Sequence, residues 1–149
     1  MGKYINVIFI TVVMRRWDFG DKEKIFMIRK LQTKNRISIT KELFDELDNP
    51  KKIDFISFPV FNNGNHKTVI CIENSDYTDK LPDNSTIIAS CRIEYDRVCE
   101  RHRIVIPKEV LKELDYKGRH DERIVIFMTN RMGYKAIEIA NLDIDSIKW

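Results

Sequence analysis

The sequence predicts a mainly β protein with short helices, built as two consecutive β-β-α-β-β units behind an N-terminal strand. Three observations carry this expectation. The chain repeats itself at a fixed offset, short apolar runs alternate with polar residues at the period of a strand, and Asn/Gly turn signals separate neighbouring runs. The repeat is plainest when RISITKELFDELD (residues 36–48) is set over RIVIPKEVLKELD (residues 103–115). Arg36 falls on Arg103, an offset of 67, and Ile37, Ile39, Lys41, Glu42, Glu46, Leu47 and Asp48 all meet identical residues. At the same offset Asn63 meets Asn130, Ile70 meets Ile137, Ile72 meets Ile139 and Asn74 meets Asn141.

Taken in order, residues 4–14 (YINVIFITVVM) read as a buried strand because of their β-branched content. The run is too short to span a bilayer as a helix, which takes roughly 20 residues. Arg15, Arg16 and Trp17 follow it where a signal peptide has a small-residue cleavage site. The domain reading is an extension over 1–23, a first repeat over 24–75, a linker over 76–85, a second repeat over 86–141 and a tail over 142–149. In the first repeat a strand over 25–31 turns through residues 32–35 into Arg36-Ile37-Ser38-Ile39, whose isoleucines share one face. Thr40 is a helix N-cap, Leu43, Phe44 and Leu47 form the apolar stripe, and Pro50 ends the helix. Strands over 53–61 and 67–73 then pair across Asn62-Asn63-Gly64-Asn65, a turn that accepts positive φ.

The second repeat follows the same plan. A strand over 86–98 turns through residues 99–102 into Arg103-Ile104-Val105-Ile106, and Pro107 suits the first helical turn. Val110, Leu111 and Leu114 form the stripe and Gly118 the stop. Strands over 123–129 and 134–140 close the unit. DYTDKLPDNS (76–85) between the repeats is polar, as a linker is.

Composition fits a folded protein. Of 149 residues 43% are hydrophobic and 10% aromatic, which excludes a disordered chain. A unit of about 50 residues buries too little surface to stand comfortably alone, so the two must share a core or borrow one. Charged residues make up 33% with a net charge of +3, so any nucleic-acid argument rests on local distribution. Cys71, Cys91 and Cys99 form no CxxC pair, which argues against structural zinc and a disulfide framework and for a reducing cytoplasm.

An arginine before an Ile-x-Ile-Pro strand, followed by a short helix ending in Leu, resembles the AbrB/SpoVT/MazE superfamily. RHRIVIPKEVLKELD carries the likeness best, and TKNRISITKELFDELD matches it with Thr40 in place of proline. The likeness covers about two thirds of the chain. It implies a duplicated swapped-hairpin AbrB-like β-barrel, in which hairpins of two units interleave around one core. The units then pair within the chain as a pseudo-dimer or between two chains as a homodimer. It also implies duplex DNA as the partner in a transcriptional regulator, or a protein partner where the fold serves an antitoxin or inhibitor.

The candidate DNA-binding residues are Lys24, Arg29, Lys30, Lys34, Arg36 and Lys41 in the first repeat, and Arg97, Arg101, Arg103 and Lys108 in the second. No acidic residue lies between Lys24 and Arg36, so the first hairpin is a basic ribbon suited to phosphate, or else a charged edge that discourages sheet aggregation. In the second repeat Glu94, Asp96 and Glu100 counter the arginines, and the constant offset puts Asp96 in the slot of Arg29. The arginine pair carried in the helix by well-known DNA-binding relatives is Phe44-Asp45 and Leu111-Lys112 here. Arg36 and Arg103 have a structural reading too, as partners of Glu42 and Glu109. The chain has no Gly-rich phosphate loop, no HExxH and no GxSxG, and His66, His102 and His120 read as surface residues. No enzyme, cofactor, metal or membrane is expected.

Overall fold

The computed structural model describes residues 26–62, 64–81, 84–131 and 134–143. The strand expected over 4–14, the candidate Lys24, Asn63 and the tail from 144 lie outside them. Nine strands and two short α-helices are described: β1 (Phe26–Arg29), β2 (Arg36–Ile39), α1 (Lys41–Glu46), β3 (Lys52–Asn62), β4 (Asn65–Asn74), β5 (Thr86–Arg92), β6 (Glu94–Asp96), β7 (Arg101–Val105), α2 (Lys108–Glu113), β8 (Glu122–Arg131) and β9 (Tyr134–Asp143). The fold is mainly β and every described pairing is antiparallel.

Local chemistry explains the helix limits. Thr40 Oγ1 accepts from Leu43 N at 3.2 Å and starts α1. Pro107, at φ −63°, stands just before α2, where its missing N–H costs nothing. Both helices stop earlier than Pro50 and Gly118 imply, at Glu46 and Glu113. Asp48 and Asp115 adopt left-handed φ values of 60° and 56°. Asn49 N then bonds Phe44 O, and Tyr116 N bonds Leu111 O, each at 3.0 Å, in the pattern of a Schellman cap.

The strands form two open sheets and not one closed barrel. One has the order β1-β8-β9-β4-β3-β5, the other β2-β7-β6. The third and fourth strands of each repeat pair with each other, and the remaining equivalent pairings cross between the repeats. The first strand of each repeat lies against the third strand of the other, β1 on β8 and β5 on β3. The second strands pair with each other through Ile37↔Ile104, and the fourth through Cys71↔Glu138. An approximate two-fold axis through these two pairs relates the halves.

One core results. Ile37, Ile39, Leu43 and Phe55 from the first repeat are buried with Ile104, Ile106, Val110 and Ile126 from the second. The other face of the larger sheet buries Val125, Phe127 and Leu142 against Phe26 and Ala140. Burial of a large aliphatic side chain stabilises by about 1.5–3 kcal/mol, so each repeat depends on apolar surface that the other provides.

Strand register corrects the constant offset. Asn74 stands opposite Ile53, and Asn141 opposite Ile124. Ile53 is therefore the counterpart of Ile124, four residues further along than the offset of 67 allows. The second repeat has four more residues between helix and third strand, and four fewer in the hairpin that follows. The two differences cancel, so the fourth strands fall back into step. Asn130, matched with Asn63 by the offset, lies in β8 opposite Lys135.

The first strands differ as well. Arg29 pairs with Ile124, and Cys91 pairs with Ile53, so Cys91 and not Asp96 holds the place of Arg29. The second repeat has five extra residues before its arginine, and they make β6. The single strand expected over 86–98 is thus β5 and β6, which lie in different sheets. The expected linker is ordered at its start, where Ser75–Lys80 form a 3-10 helix with Asn74 Oδ1 accepting from Asp76 N at 2.9 Å. No helix among the described residues is long and apolar enough to cross a membrane.

Candidate functional site

The repeat arginines meet on the outer face of the three-stranded sheet. Ile37, Ile39, Ile104 and Ile106 point into the core. Alternation therefore turns Arg36, Ser38, Arg103 and Val105 outward, where each is half-buried. Arg36 is opposite Val105 and Arg103 opposite Ser38, so the two arginines sit diagonally about the two-fold axis. Diagonal neighbours of this kind are roughly 7–8 Å apart.

Neither arginine pairs with a helical carboxylate, as the sequence suggested for Glu42 and Glu109. Both are met by β6. Arg36 Nε lies 3.6 Å from Glu94 Oε2, and Arg103 Nη1 lies 3.4 Å from Asp96 Oδ2. These separations exceed the roughly 2.7–2.9 Å of a charge-assisted hydrogen bond. Both Nε atoms are buried and have no hydrogen-bond partner. Asp96 Oδ1 also accepts from Val98 N at 3.0 Å and Cys99 N at 3.3 Å. The Cys99 amide above all, with Val98 N and the Arg103 guanidinium, outweighs burial and lowers the Asp96 pKa. The strand that presents these acids is short: it has only three residue pairs with β7, and Val98 at its tip is 94% exposed.

Beside Arg103 the imidazole of His102 stacks on Phe44, with ring centroids 3.7 Å apart and planes within 11°. Tyr95 flanks it at 4.9 Å. Phe44, one of the helix positions where the resemblance implied an arginine, thus packs a ring of the other repeat.

The remaining candidates are dispersed. Arg29 and Lys30 lie at the end of β1, in the larger sheet, whereas Arg36 is in the smaller one. The bridge Gln32↔Arg36 is the local pairing at the turn between them. The expected continuous basic hairpin does not form, because β1 pairs with β8 in preference to β2. Lys34, in a left-handed turn at φ 63°, and Lys41 and Lys108, at the helix starts, are exposed. Arg97 and Arg101 are exposed at the β6–β7 turn. Arg29, Lys30, Lys34, Lys41, Arg97, Arg101 and Lys108 make no ion pair among the described residues.

A second group of cations was not visible in the sequence. The end of β1 meets the start of β8 through the Arg29↔Ile124 register. The loop before β8 carries Lys117, Arg119 and His120 to the same edge, Arg123 stands at the start of β8, and Lys30 Nζ donates towards His120 Nδ1 at 3.5 Å. Arg123 Nη1 is held by donating to His120 O and Glu122 O, both at 2.9 Å. The only sequence clue was the density of basic residues from 117 to 123, far from Arg29 along the chain.

Glu122 organises that loop. It is 2% exposed, and its carboxylate accepts from Lys117 N at 2.9 and 3.0 Å, Arg119 N at 2.6 Å and Asn141 Nδ2 at 2.7 Å. Burial pushes its pKa up. The bonds from Lys117 N, Arg119 N and Asn141, helped by the Arg119 charge, overcome it and leave the pKa below the ordinary 4.5. An open cleft of about 490 Å³ runs alongside, lined by Asn35, Lys108, Leu111, Lys112, Tyr116 and Lys117 among others. Lys117 is paired with Asp115 at 2.7 Å. Among the described residues no group of His, Cys, Asp and Glu is placed to hold a metal ion.

Comparison of the chain with protein-family models, with curated proteins and with solved structures finds no match.

Proposed function

We propose that this chain is a cytoplasmic, non-catalytic DNA-binding protein, an AbrB-like transcriptional regulator folded as an intrachain pseudo-dimer of swapped-hairpin units. The reciprocal pairing of equivalent strands supports the pseudo-dimer, since it is the arrangement two interleaved copies adopt. One observation carries the DNA reading. Cations from both repeats converge where β1 meets β8 and the loop before it, with Arg29 and Lys30 from the first and Lys117, Arg119 and Arg123 from the second. A ridge of this kind neutralises successive phosphates, which supplies most non-specific affinity. The two-fold arrangement of Arg36 and Arg103 suits a duplex, whose backbones are themselves related by two-fold symmetry.

The test is a titration of a 30-base-pair duplex at several salt concentrations. Wild type binds, and binding weakens steeply with salt. Replacing Arg29 and Lys30 by alanine reduces the slope of log affinity against log salt by roughly 0.9 for each phosphate that is no longer neutralised. No retardation of the duplex at low salt overturns the reading.

A second reading has its own support. Tyr95 (54% exposed) on β6 and Val98 in the turn after it are exposed apolar side chains. A protein-binding module, antitoxin or inhibitor, would bury them. Pull-down of a stoichiometric protein partner, abolished on replacing Tyr95 and Val98 by serine, would favour it.

A further inference from the structure

We infer that Arg36 and Arg103 form a phosphodiester site which β6 occupies with the chain's own carboxylates, so that Glu94 and Asp96 act as a displaceable internal anion. The inference rests on the DNA-binding reading above and adds its regulation.

The argument begins with what is equivalent and what is not. Arg36 and Arg103 are related by the two-fold axis through Ile37 and Ile104. The acids that meet them are not so related: Glu94 and Asp96 both come from β6, in the extra segment of the second repeat. A symmetric pair of cations is therefore covered by one asymmetric arm. Were the acids simply stabilising the arginines in place, well-formed bidentate bonds would be expected. Instead the approaches are 3.6 and 3.4 Å, and both guanidinium Nε–H groups are left buried without a hydrogen-bond acceptor. Buried donors on charged groups ordinarily find acceptors. A phosphate, with more acceptor oxygens than a carboxylate, supplies them. The arm is lightly held: it pairs with β7 over three residues, is tied at its base by Ile93 N donating to Lys51 O at 3.0 Å, and ends in a turn with Glu100 at φ 52° and Val98 almost wholly exposed.

The arm makes affinity depend on its displacement. DNA must compete with two intramolecular carboxylates before Arg36 and Arg103 contribute. Exposed Arg97 and Arg101 on the same arm and strand give a duplex a first foothold beside the covered pair.

The test uses the full chain with Glu94→Gln and Asp96→Asn together. Asn keeps the side-chain oxygen that accepts from Val98 N and Cys99 N, so the turn is retained. A charge-matched control, Asp79→Asn with Glu113→Gln, removes two acids elsewhere on the surface. Two probes are used, a 30-base-pair duplex and immobilised heparin. The E94Q/D96N variant is expected to bind the duplex more tightly at low salt, with its salt slope steeper by roughly 1.8, two further phosphates neutralised at about 0.9 each. That slope corresponds to an additional loss of about tenfold in affinity between 50 and 200 mM salt. It should elute later from heparin than the control, and Arg36→Ala with Arg103→Ala in the same background should erase the gain. A variant that matches the charge control on both probes overturns the inference. If heparin retention rises through the arginines while neither protein retards the duplex, the covered anion site stands and the DNA reading falls. If wild type binds the duplex through Arg29 and Lys30 and the variant adds nothing, the reverse holds.

Discussion

Replacing Glu122 by glutamine should destabilise the fold by about 2–3 kcal/mol, because this carboxylate is the point to which the loop before β8 is tied. It accepts four bonds from three groups, Lys117 N, Arg119 N and the Asn141 amide, and is 2% exposed. Glutamine keeps one acceptor oxygen and turns an NH2 towards the remaining donors, so at least one buried donor loses its partner. A hydrogen bond to a charged group contributes about 1.5–3 kcal/mol net, and an orphaned buried donor costs about 1–3 kcal/mol. These overlap and do not add, which gives the stated range. Leucine, which orphans the Lys117 and Arg119 amides and leaves Asn141 only its bond to Asp115 O, should cost about 3–5 kcal/mol. For a chain of this size the glutamine variant corresponds to a Tm lower by roughly 5–10 °C. Urea unfolding of the full chain at neutral pH measures the difference, with an unchanged m-value as the sign that the unfolded state is unaffected. The pH dependence gives an independent check. The Glu122 pKa is lowered on folding, so its contribution is fully present above the ordinary 4.5 and is lost as pH falls through the folded value. The gap between wild type and Glu122→Gln should therefore narrow in acid. A difference under about 0.5 kcal/mol at neutral pH, or a gap that stays constant as both proteins are acidified, refutes the reasoning.

Two further outcomes follow from the same geometry. Asn74 Nδ2 donates to Leu47 O at 2.9 Å, and Asn141 Nδ2 to Asp115 O at 3.2 Å, so each amide ties a fourth strand to the end of its repeat's helix. Alanine at Asn74, which also loses the Asp76 N bond, should cost about 1–2 kcal/mol by urea unfolding, and alanine at Asn141 more, because its second bond is to the buried Glu122 carboxylate and bonds to charged groups are stronger; equal losses would contradict that assignment. Burial pushes the Cys91 thiol up to about 12, and Cys71 is buried, whereas Cys99 is exposed. Iodoacetamide at pH 8 should alkylate Cys99 alone in the folded protein, as read by peptide mass, and fast labelling of Cys91 would refute the burial.

How much was legible in the sequence depended on how local its cause was. Thr40 was readable as a cap because the bond to Leu43 N spans three residues. The Ile37/Ile39 and Ile104/Ile106 alternation was readable because the faces of a strand are set by its own backbone. Even the coincidence of Asn74 with Asn141 had a physical cause, the shared bond to the helix end. Partner choice was not readable. Nothing within residues 25–36 states that β1 leaves β2 for β8, because the gain comes from Met27 packing in a core that two repeats make together. The cation ridge was missed for the same reason: it joins Arg29 to a loop some ninety residues later. An ungapped alignment also hid the differences between repeats, since four added residues before β8 and four removed from its hairpin restore the offset.

Those differences fall where the chemistry is. The isoleucines, caps and helix-end asparagines of the two repeats occupy matching places, as a common core requires. The four added residues before β8 make the loop that Glu122 gathers, which brings basic residues to Lys30. The five added before β7 make β6, which lays Glu94 and Asp96 over both equivalent arginines. A symmetric pair of units presents the same surface twice, and one surface cannot then both attract an anion and screen against it. Insertions confined to one repeat remove that constraint at little cost to the core, because loop closure grows only with the logarithm of loop length. The first repeat thus supplies Arg29 and Lys30 at the β1 edge, and the second supplies both their reinforcement and the cover on the paired arginines. If that division is correct, excising the β6 segment should expose Arg36 and Arg103 without disturbing the packing around Ile37 and Ile104.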